Sequence, residues 1–220
     1  MTGSAPTTDR EFSTAEFFAL AKTRLSLGVP DRFTDPLVIP RIDDADPTLM
    51  AAIAAMGPIR AAAVLVPVIT RAEPTVLFTQ RTAHLADHAG QIAFPGGKID
   101  VDDANPAAAA LREAEEEIAL DRSFVEPIGY LNVHITPSGY RVLPTVARVS
   151  DGFSLHFRDE VNDAFEVPLS FLMAPKNHKR QRADWNGLVT TVYAIRFNDR
   201  NIWGVTAAIV RDLWERIYKG

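Results

Sequence analysis

The 220-residue sequence predicts a mixed α/β layered domain, with helices on both faces of a sheet. Three observations carry that expectation. A nearly continuous apolar run, Ala61–Thr70 (AAAVLVPVIT), is followed after a Glu73-Pro74 turn by the β-branched and aromatic segment Thr75–Arg81, as expected for a buried central strand and its partner. After Asn105 comes a helix with one apolar and one acidic side. A second amphipathic helix, Thr206–Tyr218, closes the chain with Ala207, Val210, Leu213, Trp214 and Ile217 at helical spacing.

The composition bounds the function. Hydrophobic residues make up 47% and charged residues 23%, an ordinary globular balance. The formal net charge of −5 argues against a nucleic-acid partner, which selects for a basic surface. The chain has no cysteine, which excludes disulfides, a thiolate nucleophile and zinc–thiolate sites, and suits a reducing cytoplasm. No apolar run reaches the roughly 18 residues of a membrane span, and the N-terminus lacks an apolar signal core. The expectation is a cytoplasmic protein with no membrane partner.

Taken in order, residues 1–10 are small and polar and predict a disordered tail. Phe12–Leu27 reads as an amphipathic helix lying on the main body, and an exposed helix there leaves a homodimer open. Pro30, Pro36, Pro40 and Pro47 predict an irregular linker; a short helix follows to Met56, with Asp46 as its cap. Residues 1–55 are thus an N-terminal extension, and 56–220 the main domain. Pro67 in the first strand calls for a bulge or a strand end. Residues 82–90 form a polar loop, and Gln91–Phe94 a short strand leading to Pro95-Gly96-Gly97. Asn105 and Pro106 are a good N-cap and first helical residue. Phe124–Ile135 and Val142–Val149 alternate as two strands around a TPSG turn. Phe165–Met173 reads as apolar and partly helical, Lys176–Arg182 as a basic mobile loop, Leu188–Phe197 as a strand and Asn198–Arg200 as a turn.

The stretch Phe94–Leu120 carries the chemistry. Glu113, Glu116 and Glu117 stand at i, i+3 and i+4, which places them on one helix face. Such acids repel each other by a few tenths of a kcal/mol per pair, roughly, and a divalent cation converts that cost into binding. Carboxylate oxygens suit hard Mg²⁺ or Mn²⁺. Arg112 stays charged, and its planar fork can hold a helix carboxylate in place. Gly96 and Gly97 permit close backbone approach to the helix.

Gly97–Leu120 resembles the Nudix box of the Nudix hydrolases, through Gly97, Arg112, Glu113, Ala114, Glu116, Glu117 and Leu120. Asp103 stands for the box's first glutamate, with one extra residue before Arg112, and Ala119 stands for its late glycine. The preceding stretch is similar to the signature of the coenzyme A pyrophosphatase group, through Leu77, Thr79, Arg81, Gly90, Phe94, Pro95, Gly96 and Gly97. That signature's second arginine is replaced by Ala86, beside Asp87.

The resemblance implies a Nudix-type α/β/α sandwich with a mixed β-sheet. It implies Mg²⁺ or Mn²⁺ held by Glu113, Glu116 and Glu117. The implied reaction is metal-dependent hydrolysis of coenzyme A or acyl-coenzyme A to adenosine 3′,5′-bisphosphate and (acyl-)4′-phosphopantetheine. Other nucleoside diphosphate derivatives (ADP-ribose, NADH, a dinucleotide) are the alternative that Ala86 favours, and a non-catalytic binding protein is a third. Glu113 and Glu160 are both candidates for the general base, and Arg112 supports the acids. Arg81, Gly96, Gly97, His88 and Gln91 are candidate contacts for a small nucleotide substrate. His84, the basic 176–182 stretch and Tyr140 are weaker ones; Trp203 and Trp214 read as core or dimer contacts.

Overall fold

The computed structural model describes residues 12–36, 51–53, 55, 57–83, 90–136, 138–185 and 188–219. The expected tail at 1–10 and the cap at Asp46 lie outside them. Two sheets, the larger with a helical layer on each face, follow from the burial pattern of the strands. Strand β1 (Arg60–Thr70) is central, and both of its faces are apolar. It runs parallel to β7 (Tyr140–Ser150) in unbroken register, from Arg60↔Tyr140 to Thr70↔Ser150. On its other edge it pairs antiparallel first with β4 (Gly96–Lys98) and then with β2 (Thr75–Arg81). β3 (Ile92–Ala93) and β8 (Val161–Pro168) flank β2, while β5 (Val125–Tyr130) and β6 (His134–Ile135) pair with β7. The sheet is therefore mixed, as expected.

Pro67 causes no break in β1. The β4 ladder ends at Val64↔Gly96 and the β2 ladder begins at Val68↔Val76. The Leu65 amide points to this edge, donating to Pro95 O at 2.8 Å. Pro67, two residues on, faces the same step between partners, where no ladder amide is needed. The expected bulge is replaced by a change of partner.

Helices cover both faces. Helix α2 (Pro106–Ile118) lays Ala110, Ala114 and Ile118 against Ala63, Leu65, Ile69 and Leu77. The opposite face is covered by α1 (Thr14–Arg24) and α4 (Val205–Trp214), whose Phe17, Phe18, Val210 and Leu213 share one core with Val66, Val68, Val76 and Phe78. Each such side chain contributes about 1.5–3 kcal/mol on burial. Phe17 and Phe18 are 0% and 1% exposed, so the aromatic face of α1 is used within its own chain. No helix among the described residues is long and apolar enough to cross a membrane.

Four sequence expectations need correction. Phe124–Ile135 is two short strands, β5 and β6, because one extra residue stands between the pairs Tyr130↔Thr145 and His134↔Val142, where Asn132 bonds Asp212 instead of the ladder. Phe165–Met173 is the end of strand β8 followed by a single helical turn, α3 (Leu169–Leu172). The basic stretch is a strand, β9 (Lys179–Trp185), paired with β10 (Leu188–Phe197) from Lys179↔Ala194 to Trp185↔Leu188. Its lysines and arginines mark a sheet edge, where charge blocks further pairing. The turn after β10 is only two residues long, because Arg200 begins β11 (Arg200–Trp203), the third strand of this smaller sheet.

His178 joins α3 to the closing helix. It is buried, lies 6.2 Å from Trp214, and its Nε2–H donates to Leu172 O at 2.6 Å. Burial lowers its pKa below the usual 6.5. The unfolded chain therefore takes up this proton first as pH falls, and stability is lost from about pH 6.5 downward. Urea titrations between pH 7.5 and 5 are expected to show a decline in unfolding free energy that is shallower in His178→Gln; equal slopes would remove His178 as its source.

Candidate active site

The acidic helix begins as its sequence requires. Asn105 Oδ1 accepts the Ala108 amide at 3.0 Å, Pro106 occupies the first turn, and Tyr130 Oη accepts the Ala107 amide at 3.2 Å. Its acids then emerge on the face toward β4 and the end of β2.

Two donor groups hold the three glutamates, Arg112 for Glu113 and Glu116 and the β4 backbone for Glu117. Arg112 Nη1 donates to Glu113 at 3.0 Å and to Glu116 at 3.2 Å. The other side of the guanidinium grips Asp103 with two bonds, Nε at 3.1 Å and Nη2 at 2.9 Å, and Nη2 also reaches Lys98 O at 3.1 Å. Asp103 is thus the loop's anchor on the helix, despite its shorter side chain. The charge-assisted fork holds its carboxyl below the usual range and raises the Arg112 pKa further. Asp100 lies 3.5 Å from the same nitrogen. Asp103 stands where the box has its first glutamate, whereas Asp100 carries no such signal in the sequence.

Gly97 fits closely against the helix and Gly96 against β1. A Cβ on Gly97 would stand 2.6 Å from the Glu113 carboxylate atoms. Gly96 has φ +154°, and a Cβ there would meet Ala63 O and lie 2.6 Å from Val64 Cα. Only glycine tolerates both demands. The Gly96 amide in turn donates to Glu117 Oε2 at 3.2 Å.

Glu117 is the most enclosed of the three glutamates, with its side chain 12% exposed. Burial pushes its pKa up to about 7, against the downward pull of the Gly96 amide and Arg81. Burial raises Glu113 as well, opposed by Arg112. Arg81 Nη1 lies 3.9 Å from Glu117, and Nη2 donates to Glu160 at 3.0 Å. Glu160, far along the chain, thereby joins the same corner as the box acids. Arg81 Nε is buried and finds no acceptor among the described residues. Gln91 sits at the base of the adjoining loop, where its carbonyl accepts the Arg81 amide at 2.9 Å. His88, with His84, Ala86 and Asp87, lies outside the described residues.

Among the described residues no three acids converge as a preformed metal cage. The donor set nevertheless fits a hard divalent cation. It offers three carboxylates on one helix face, one of them buried and incompletely compensated.

The sequence model of the NUDIX domain matches residues 59–185, and the chain belongs to the Nudix hydrolase family. This is a family of enzymes acting on pyrophosphates, generally with divalent cations such as Mg²⁺ or Mn²⁺. Two relatives are described as uncharacterized Nudix hydrolase NudL, from Yersinia pestis (strain Pestoides F) and Yersinia pseudotuberculosis serotype O:1b (strain IP 31758). Each is 42% identical over 159 residues, spanning 72% of this chain and 80% of its own length. Among solved structures, a NUDIX hydrolase from Alicyclobacillus acidocaldarius aligns at TM-score 0.44 and 19% identity, over 74% of this chain and 95% of that one. A C. elegans Ap4A hydrolase binary complex aligns at TM-score 0.43 and 20% identity, over 49% of this chain and 80% of that one.

The helix ends in strain. Ala119, whose amide still makes the helical bond to Glu115 O, adopts the left-handed conformation (φ 54°, ψ 32°), which turns the Leu120 amide back onto Ala114 O. A Cβ in that region costs roughly 1–2 kcal/mol, and glycine would give back part of this through greater unfolded-state entropy, about 0.4–1 kcal/mol. Ala119→Gly is expected to raise the unfolding free energy by up to about 1 kcal/mol. Denaturant titration checks this, and a lower stability would mean that the alanine is not strained.

Proposed function

We propose that the chain is a divalent-cation-dependent pyrophosphohydrolase whose substrate is coenzyme A or an acyl-coenzyme A. One observation carries the hydrolytic part: the acid face of α2, clamped by Arg112, lies beside Arg81, which keeps a buried N–H without an acceptor among the described residues. The likeness of residues 77–97 to the coenzyme A pyrophosphatase signature supports the substrate.

In this reading Glu113, Glu116 and Glu117 hold Mg²⁺ or Mn²⁺. When bound, the cation offsets phosphate charge and acidifies a water molecule. Arg81 donates to a pyrophosphate oxygen, and the fork of Arg112 keeps Glu113 and Glu116 aligned. The water oxygen bonds to one phosphorus while the bridging P–O bond breaks. The water proton passes to a carboxylate, either Glu113 against Gly97 or Glu160 beside Arg81. The products are adenosine 3′,5′-bisphosphate and (acyl-)4′-phosphopantetheine.

Turnover of coenzyme A, acetyl-coenzyme A, ADP-ribose and NADH with Mg²⁺ or Mn²⁺ tests the proposal. Coenzyme A or its acetyl form is expected to react fastest, and Glu116→Gln to lower kcat by roughly two orders of magnitude while weakening metal binding. Turnover of ADP-ribose alone would transfer the reading to the second substrate class. No turnover at all, with Glu116→Gln binding metal like wild type, would leave a non-catalytic Nudix protein.

Ala86 is the observation that favours the second class. Restoring the signature cation with Ala86→Arg is expected to raise kcat/KM for coenzyme A about tenfold, by one charge-assisted phosphate contact. An unchanged value for coenzyme A would show that this position does not read its phosphates.

A further inference from the structure

We propose that Arg200 is a positioning residue for the candidate site: it locks the strand register that delivers Glu160 to Arg81. The inference rests on the reading that Arg81 and Glu160 serve pyrophosphate hydrolysis, and it adds a residue from the C-terminal hairpin.

The register of β2 and β8 is regular from Thr75↔Pro168 to Gln80↔Asp163. Arg81 then pairs with Val161, which leaves Asn162 as an extra residue in β8. Such a bulge bends its strand and re-aims the side chains beyond it. Here it aims Glu160. The Glu160 carbonyl accepts the Thr82 amide at 3.0 Å, and its carboxylate accepts Arg81 Nη2 at 3.0 Å.

Arg200 holds the last regular pair before that bulge. Its Nη1 donates to Gln80 Oε1 at 3.1 Å and its Nη2 to Asp163 Oδ2 at 2.6 Å. The guanidinium also lies 3.9 Å over the Phe165 ring. Phe165 stacks on Phe78 at 5.7 Å, and Phe78 on Phe94 at 4.8 Å. Phe94 leads through Pro95 to Gly96, whose amide holds Glu117. Arg200 therefore caps a stack that ends at one site carboxylate and pins the register that places another. Strand alternation puts Gln80 and Arg81 on opposite faces, so Arg200 acts on the site from behind the sheet. A one-residue slip of β8 would turn Asp163 away and move Glu160 off Arg81. A planar fork can bond both partners and stack at once, which an ammonium cannot.

The test uses the full chain with Arg200→Gln, Arg200→Lys, Glu160→Gln and the double variant Arg200→Gln/Glu160→Gln. Arg196→Gln, an exposed arginine on the same hairpin, is the control. Amide exchange gives a readout independent of turnover. Arg200→Gln is expected to speed exchange at Thr82 by about tenfold while leaving β1 and β7 unchanged. With Mg²⁺ and coenzyme A, or ADP-ribose if coenzyme A is inert, kcat is expected to fall about tenfold with KM changed less than about twofold. Arg200→Lys should lie between, and the control should match wild type. The double variant should be no slower than Glu160→Gln, because both changes remove one arrangement. Unaltered exchange at Thr82 in both Arg200 variants, or kcat effects that multiply in the double variant, overturns the proposal. An inactive wild type overturns the hydrolase reading instead, and exchange at Thr82 still decides the register lock.

Discussion

The Arg112 guanidinium is the joint on which the acidic site depends. Three glutamates at helical spacing repel one another, and a bare helix carrying them would fray. Arg112 meets two of them and bonds Asp103 and the Lys98 carbonyl with its remaining donors. It therefore fixes helix, entry loop and β4 to one another through a single rigid plane. Lysine could neutralise one acid but could not span these directions at once. Asp103 makes the arrangement consistent despite its departure from the family pattern: its shorter side chain still receives two bonds from the fork.

On the other side of the same helix face, the backbone does the positioning. Gly97 lies so near α2 that a Cβ would stand 2.6 Å from the Glu113 carboxylate, and Gly96 lies so near β1 that a Cβ would stand 2.6 Å from Val64 Cα. That closeness encloses Glu117 and raises its pKa, with one backbone amide and a more distant arginine as compensation. A carboxylate kept this dry and this incompletely paired favours a bound cation over bulk water. The steric role of the glycines and the electrostatic role of the acid are two aspects of one approach distance.

Features encoded locally were legible in the sequence. The Asn105 cap, the apolar stripe of α2 and its acid face all follow from neighbours a few residues apart, and the helix obeys them. The double-sided burial of β1 was equally plain. Features made by distant partners were not. Lys179–Trp185 carries no apolar period, and only its ladder with β10 makes it a strand. Pro67 argued for a break because a change of strand partner cannot be read from one segment. The link between Arg81 and Glu160 crosses 79 positions, and the bulge that permits it has no sequence signature. Ala119 stands where the box has a glycine, and the helix accepts the strain of a left-handed alanine to end in its turn.

This difference in range separates two parts of the site. The three glutamates, Arg112 and the paired glycines lie within one short stretch, so they form wherever that stretch packs on β1 and β4. Arg81 and Glu160 come from β2 and the loop before β8, and their meeting depends on sheet register rather than on helix spacing. A change in the hairpin of β10 and β11 can thus alter how Arg81 meets Glu160 without disturbing the acids. The same layout explains why the box residues identify a family while leaving the substrate open. The acids are placed by one helix and its entry loop, whereas Arg81 and Glu160 come from strands that only the folded sheet brings together.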